Sequence, residues 1–169
     1  MNRVTFGKLT IDVDGDQRER RATLSGRLDE SSTLGPLVEL LVAPRVVLDT
    51  AGVHFINSIG VREWIRLMRG LAAAGRRIVL VRVSEPLTAQ LSMVLVAREG
   101  AEVVSVNAPY ECAQCRREET VLVEIGPHRA DLLAMRAPTF TCPECGGRLE
   151  LADLPERYFL FVREMAAGH

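Results

Sequence analysis

Two Cys-x-x-Cys pairs constrain this chain more than any other feature. They read Cys112-Ala113-Gln114-Cys115 and Cys142-Pro143-Glu144-Cys145-Gly146-Gly147. A turn of this spacing aims two thiolates at one ion while backbone N–H groups hydrogen-bond to the sulfurs, and two such turns complete a closed tetrahedron. With Cys112, Cys115, Cys142 and Cys145 filling every position, no place is left for a catalytic water. The pattern therefore gives the ion a folding role, with zinc as the expected metal. Iron in the same geometry is the alternative. A redox dithiol is disfavoured, because neither pair sits in a strand–CxxC–helix context. Gly146 directly follows the second pair, where a positive φ is useful. The first pair has Arg116 there, so its turn is expected to be less ideal or to take other angles.

The 26 residues from Arg116 to Thr141 have room for a hairpin and a short helix, Arg129–Arg136. Short strands are expected at Thr120–Ile125 and Arg148–Ala152, with a terminal helix near Pro155–Met165 that packs back on the core. On its two knuckles this segment resembles the zinc-ribbon or rubredoxin-like class.

A chain of 169 residues suffices for one full domain plus a small appendage. Its longest apolar stretches, such as Leu91–Ala97, fall far short of the ~18 residues of a membrane helix, so no membrane span is expected. Met1–Asp12 has neither the basic nor the apolar region of a signal peptide. A cytoplasmic location is the expectation, and in a reducing cytosol paired CxxC units are metal sites more often than disulfides. Net charge is −1, divided as +2 before and −3 after Ala108. Neither part has the basic excess of a nucleic-acid binder, which disfavours that class.

From Thr5 to Val106, strand-like and helix-like patterns alternate. Strands are expected at Thr5–Asp12, Arg21–Leu28, Arg45–Asp49, Arg77–Val83 and Ala101–Val106, and helices at Ser32–Leu41 and from Glu85-Pro86 to about Arg98. The clearest helix opens near Asn57-Ser58. Val61, Trp64, Ile65, Met68, Leu71 and Ala72 form its apolar stripe, and Arg62, Glu63, Arg66 and Arg69 its polar face. The fold class is α/β, a mixed sheet covered by helices, with a small cysteine module after it. The boundary is placed at Asn107-Ala108-Pro109, dividing residues 1–107 from 108–169.

The stretch Val47-Leu48-Asp49-Thr50-Ala51-Gly52-Val53-His54-Phe55-Ile56-Asn57-Ser58-Ile59-Gly60-Val61 reads as a buried strand, a short loop carrying Phe55, and a helix start. Together with Gly26-Arg27-Leu28-Asp29 and Arg77-Ile78-Val79-Leu80-Val81, it is similar to the STAS domain of anti-sigma factor antagonists, over about Val4 to Val106. In that family an Asp-Ser-Ser-Gly segment opens the helix, and a partner kinase phosphorylates its first serine. The resemblance puts Ser58 at that position, with Asn57 in place of the aspartate and Ile59 in place of the second serine. Asn57, Ile59, Gly60, Arg62 and Asp29 then mark the partner-binding surface. A phosphate adds roughly −1.5 to −2 charge, which a helix N-terminus stabilises, and Arg62 lies one turn along. The plainer readings stay open: Ser58 as an ordinary helix-start serine, and Asp29 as a cap for the Ser32–Leu41 helix.

No Gly-rich phosphate loop and no nucleophile–base–acid set is found, so the chain is read as non-enzymatic. His54 and His128 read as surface or packed histidines, His169 carries no pattern, and Trp64 reads as core or interface. The resemblance implies a signalling adapter whose partners are an anti-sigma factor or serine kinase and a phosphatase. The alternative is a constitutive scaffold or complex subunit of a transport or sensory assembly. DNA or RNA contact by the cysteine module, through Arg116, Arg117 and Arg148, is a third and weaker option. Those arginines equally suit balancing four thiolates and one Zn²⁺, which sum to −2.

Overall fold

A computed structural model describes residues Asn2–Gly168. Its first six strands form one mixed sheet in the order β1-β2-β3-β4-β5-β6. β1 (Asn2–Phe6), β2 (Leu9–Gly15) and β3 (Glu19–Leu28) run antiparallel, and β4 (Arg45–Ile56), β5 (Arg77–Val81) and β6 (Glu102–Val103) continue in parallel. The expected single strand Thr5–Asp12 is two strands of a hairpin. The chain reverses at Gly7-Lys8, where Gly7 has φ 61°. Glycine at the first central position is what a type II′ turn requires, and alternation within each arm hid the turn.

β4 runs seven residues beyond the expected end at Asp49. Past Asp49 it pairs with β3 alone, with register shifts on the way. Phe55 therefore lies in a strand, not a loop, under the Arg27 guanidinium at 3.7 Å. The expected Ser32–Leu41 helix shrinks to α1 (Leu37–Leu40). Pro36 restricts Gly35 and cannot extend a helix backward; Leu34, Leu37 and Leu41 are nonetheless fully buried.

α2 (Ser58–Ala73) buries Trp64, Leu67, Met68 and Leu71 against the sheet. Glu63, expected on the polar face, is buried: its carboxylate accepts the Leu34 N–H at 3.2 Å and pairs with Arg66. Trp64 is core, and its indole N–H donates to the Ala97 carbonyl at 2.7 Å. α3 (Glu85–Met93) stops short of Arg98 and is followed by a 3₁₀ turn, Leu95–Ala97.

The expected strand Ala101–Val106 divides at Val104. β6 closes the first sheet, and β7 (Ser105–Cys112) opens a second. β7 runs through Asn107-Ala108-Pro109, so the chain passes from one sheet to the other without a linker. With β8 (Glu118–Glu124), β9 (Phe140–Thr141) and β10 (Arg148–Leu151), β7 forms an antiparallel sheet ordered β8-β7-β10-β9. α4 (Ile125–Leu133) starts four residues before the expected Arg129, because Ile125 and Leu132 are its buried anchors. The terminal helix is broken at Phe159 into α5 (Pro155–Tyr158) and α6 (Leu160–Ala166).

The sheets share one hydrophobic core from Leu9 to Val162. A parallel bridge joins Val83 to Val106. The Tyr158 hydroxyl donates to the Asn107 carbonyl at 2.6 Å, and Ser92 Oγ to the Tyr158 carbonyl at 3.0 Å. The terminal helices thus lock the cysteine module onto α3. No helix among the described residues is long and apolar enough to cross a membrane.

Candidate functional site

Strand alternation delivers the first cysteine. Along β7 every second residue from Val106 is buried, through Ala108 and Tyr110 to Cys112, and Cys112 faces Leu149 of β10. There the strand ends in a knuckle: the Cys112 carbonyl accepts the Arg116 N–H at 3.1 Å, and the Cys112 N–H donates to the Arg117 carbonyl at 2.9 Å. The second knuckle repeats this pattern, with Gly146 N–H to the Cys142 carbonyl at 3.0 Å and Cys142 N–H to the Gly147 carbonyl at 2.7 Å. Arg116 has φ 62° and Gly146 φ 73°. The first knuckle therefore has the same geometry as the second, with an arginine held in the left-handed region.

All four Sγ atoms lie within 4.8 Å of one another. Cys112 and Cys145 are 3.5 Å apart and Cys115 and Cys142 3.7 Å. A tetrahedron with metal–sulfur bonds of about 2.3 Å has edges of about 3.8 Å, whereas a disulfide needs about 2.05 Å. Cys112 and Cys142 are buried; Cys115 and Cys145 are exposed. Cys112 Sγ accepts from the Gln114 and Cys115 N–H groups at 3.4 and 3.5 Å, and Cys145 Sγ from the Gly147 N–H at 3.4 Å.

These donors sort the thiols. The backbone N–H of Cys115 and then that of Gln114, opposed by burial, pull the Cys112 thiol down to about 6. Cys115 goes the other way, to about 12: the Arg117 N–H favours its thiolate, but Cys145, burial, Cys112 and Cys142 together outweigh it. Crowded sulfurs cannot all hold negative charge without a cation between them. The set fits a thiophilic metal ion.

Gly147 is a site residue that the sequence did not single out. A Cβ there would lie 3.1 Å from Cys112 Sγ and 2.8 Å from the Gln114 side chain. The Gly-Gly after the second pair was its only signal. Arg116, Arg117 and Arg148 each have a glutamate partner, and Arg117 also feels the Cys142 charge. They pair with Glu111 at 2.7 Å, with Glu119 and Glu144 at 2.9 and 3.0 Å, and with Glu150 at 2.5 Å.

Arg116→Gly is expected to raise stability, since relief of a left-handed arginine is worth roughly 1 kcal/mol and the Glu111 pair is exposed and worth less. Thermal unfolding of the metal-loaded protein measures it.

The residues around Ser58 cluster as well. Asn57 caps α2, its Oδ1 accepting the Gly60 N–H at 2.9 Å while its Nδ2 donates to Glu30 at 2.8 Å. Ser58 and Arg62 are exposed and Ile59 is 38% exposed. Gly60 and Asp29 are buried and offer no side chain to a partner. Asp29 does not cap a helix; it accepts the Ser31 hydroxyl and N–H at 2.6 and 3.0 Å, contacts that hold its carboxyl below the usual range. His54 is exposed, and His128 packs edge-on to Phe140, apart from the sulfurs. His169 lies outside the described residues. No family model matches this chain, and no curated protein matches it.

Proposed function

We propose that this protein is a non-enzymatic, STAS-like signalling adapter whose cysteine module is held by one structural zinc ion. The observation that carries the metal reading is the convergence of four cysteine sulfurs from two matching knuckles. Four thiolates suit Zn²⁺, and a set with no fifth ligand suits a folding role. Free thiols held for a metal also suit a reducing, cytoplasmic setting.

The adapter reading rests on the start of α2. Asn57 occupies the Gly60 N–H, while the amides of Ser58 and Ile59 precede the first intrahelical bonds and have no acceptor within the helix. A phosphate on exposed Ser58 would gain those amides, the helix dipole and Arg62. The partner would then be an anti-sigma factor or serine kinase, opposed by a phosphatase. Exposed Ile59 beside Ser58 favours the second reading, a constitutive scaffold whose apolar contact never needs a phosphate. Pairing of Arg116, Arg117 and Arg148 with glutamates argues against nucleic acid.

Mass spectrometry of partners and of Ser58 in native complexes tests the switch. Phosphorylated Ser58 and a kinase-like partner are expected. Ser58→Asp is expected to weaken partner binding at least tenfold while Ser58→Ala keeps it. Equal binding by both, with Ser58 always unmodified, would leave the scaffold.

A further inference from the structure

We propose that β8 is a docking edge that takes up an extended, basic-flanked segment of a partner protein as a fifth strand of the second sheet. β8 pairs with β7 over all of Glu118–Glu124 without a register shift, and among the described residues its other edge pairs with nothing. Proteins blunt open edges with proline, bulges, charge or shortness. At seven residues β8 has no proline and no bulge, and its charges are all carboxylates, which repel a like-charged strand but not a basic one, whereas the other edge strands, β1, β6 and β9, have five, two and two residues.

Charge selects the occupant. Glu118 and Glu124 are exposed and form no ion pair among the described residues, while Glu119 is already engaged by Arg117. Between them Thr120 and Leu122, the latter 43% exposed, face solvent. A second copy of this chain, paired antiparallel about Val121, would set Glu118 against Glu124 at both ends. Like charges directly opposite destabilise a ladder. A strand with lysine or arginine about six residues apart and β-branched residues between meets both carboxylates instead, by the strand-addition mode. Glu85 adds a third carboxylate on that face, accepting the Thr120 hydroxyl at 2.9 Å. Glu85, Pro109, Glu118 and Thr120 line a cavity of about 330 Å³ with room for a long basic side chain. This inference does not depend on the switch at Ser58.

Amide hydrogen exchange on the full chain, with and without the synthetic peptide Lys-Thr-Val-Thr-Val-Thr-Lys, tests it. Alternate β8 amides are expected to slow at least tenfold at saturating peptide. The double variant Glu118→Lys, Glu124→Lys is expected to lose this probe and gain Glu-Thr-Val-Thr-Val-Thr-Glu. Unchanged β8 exchange at millimolar peptide, or equal binding of both probes by both proteins, would overturn the proposal. So would β8 protection that appears in the protein alone as its concentration rises, because the occupant would then be a second copy.

Discussion

Replacing Cys112 with serine is expected to lower metal affinity more than 100-fold and to melt the order of the second sheet. Loss of a residue that merely supports a ligand costs 10–100-fold, and Cys112 is itself a candidate ligand that also ends β7 in the shared core. Structural zinc contributes roughly 10–16 kcal/mol in isolated peptides. The module here also packs through Phe159, Phe161 and Val162, so the first sheet should persist while signals from β7–β10 broaden. Two-dimensional amide spectra of Cys112→Ser, and of the parent protein after chelation, measure this. Metal uptake should also release protons at pH 7, since the Cys115 thiol is raised above its ordinary value when no ion is present. Apparent affinity should fall as pH drops and thiols protonate, which competition titrations at several pH values detect.

The cysteine site was legible in the sequence because both halves of its geometry are local. A Cys-x-x-Cys turn needs no distant partner to set its spacing. What stayed hidden was the fit between the halves. Arg116 lacked the usual glycine, yet the Cys112–Arg117 hydrogen bonds hold it at φ 62°. The role of Gly147 appears only once the second knuckle lies against Gln114 and Cys112 Sγ.

Gly60→Ala, in the first turn of α2, is expected to be strongly destabilising. The added Cβ would sit 1.9 Å from the Leu28 carbonyl oxygen and 2.6 Å from its carbon. Backbone cannot swing aside, so α2 must lift away and loosen Trp64, Leu67, Met68 and Leu71. Alanine's advantage over glycine in a helix is about 1 kcal/mol, and overpacking costs about 3 kcal/mol at its upper end. At about 2–4 °C per kcal/mol, unfolding should shift down by roughly 4–8 °C. Gly70→Ala is the control, because its Cβ meets the Val38 Cγ2 methyl at 2.8 Å, which a rotamer change can relieve. Its unfolding temperature should stay near the parent's; equal loss in both variants would show that crowding against Leu28 is not the cause.

Elements with their own periodicity were legible too, α2 above all. The departures share one origin, contacts made at long sequence separation. β4 extends because β3 still pairs with it after β5 has ended. Glu63 turns inward because the Leu34 N–H needs an acceptor. The expected module boundary fell inside β7 because Val106 and Ala108 serve the shared core while their neighbours read as linker. The opening of α2 at Asn57-Ser58 was legible, whereas the burial of Gly60 and Asp29 depended on strands far along the chain.

A single metal ion held by Cys112, Cys115, Cys142 and Cys145 is what the second sheet is built around. Elemental analysis with X-ray absorption on the purified chain measures it directly. The expected result is one zinc per chain with four sulfur neighbours at about 2.3 Å. Protein that is fully folded with no bound metal, or a metal with nitrogen or oxygen in its first shell, would contradict it.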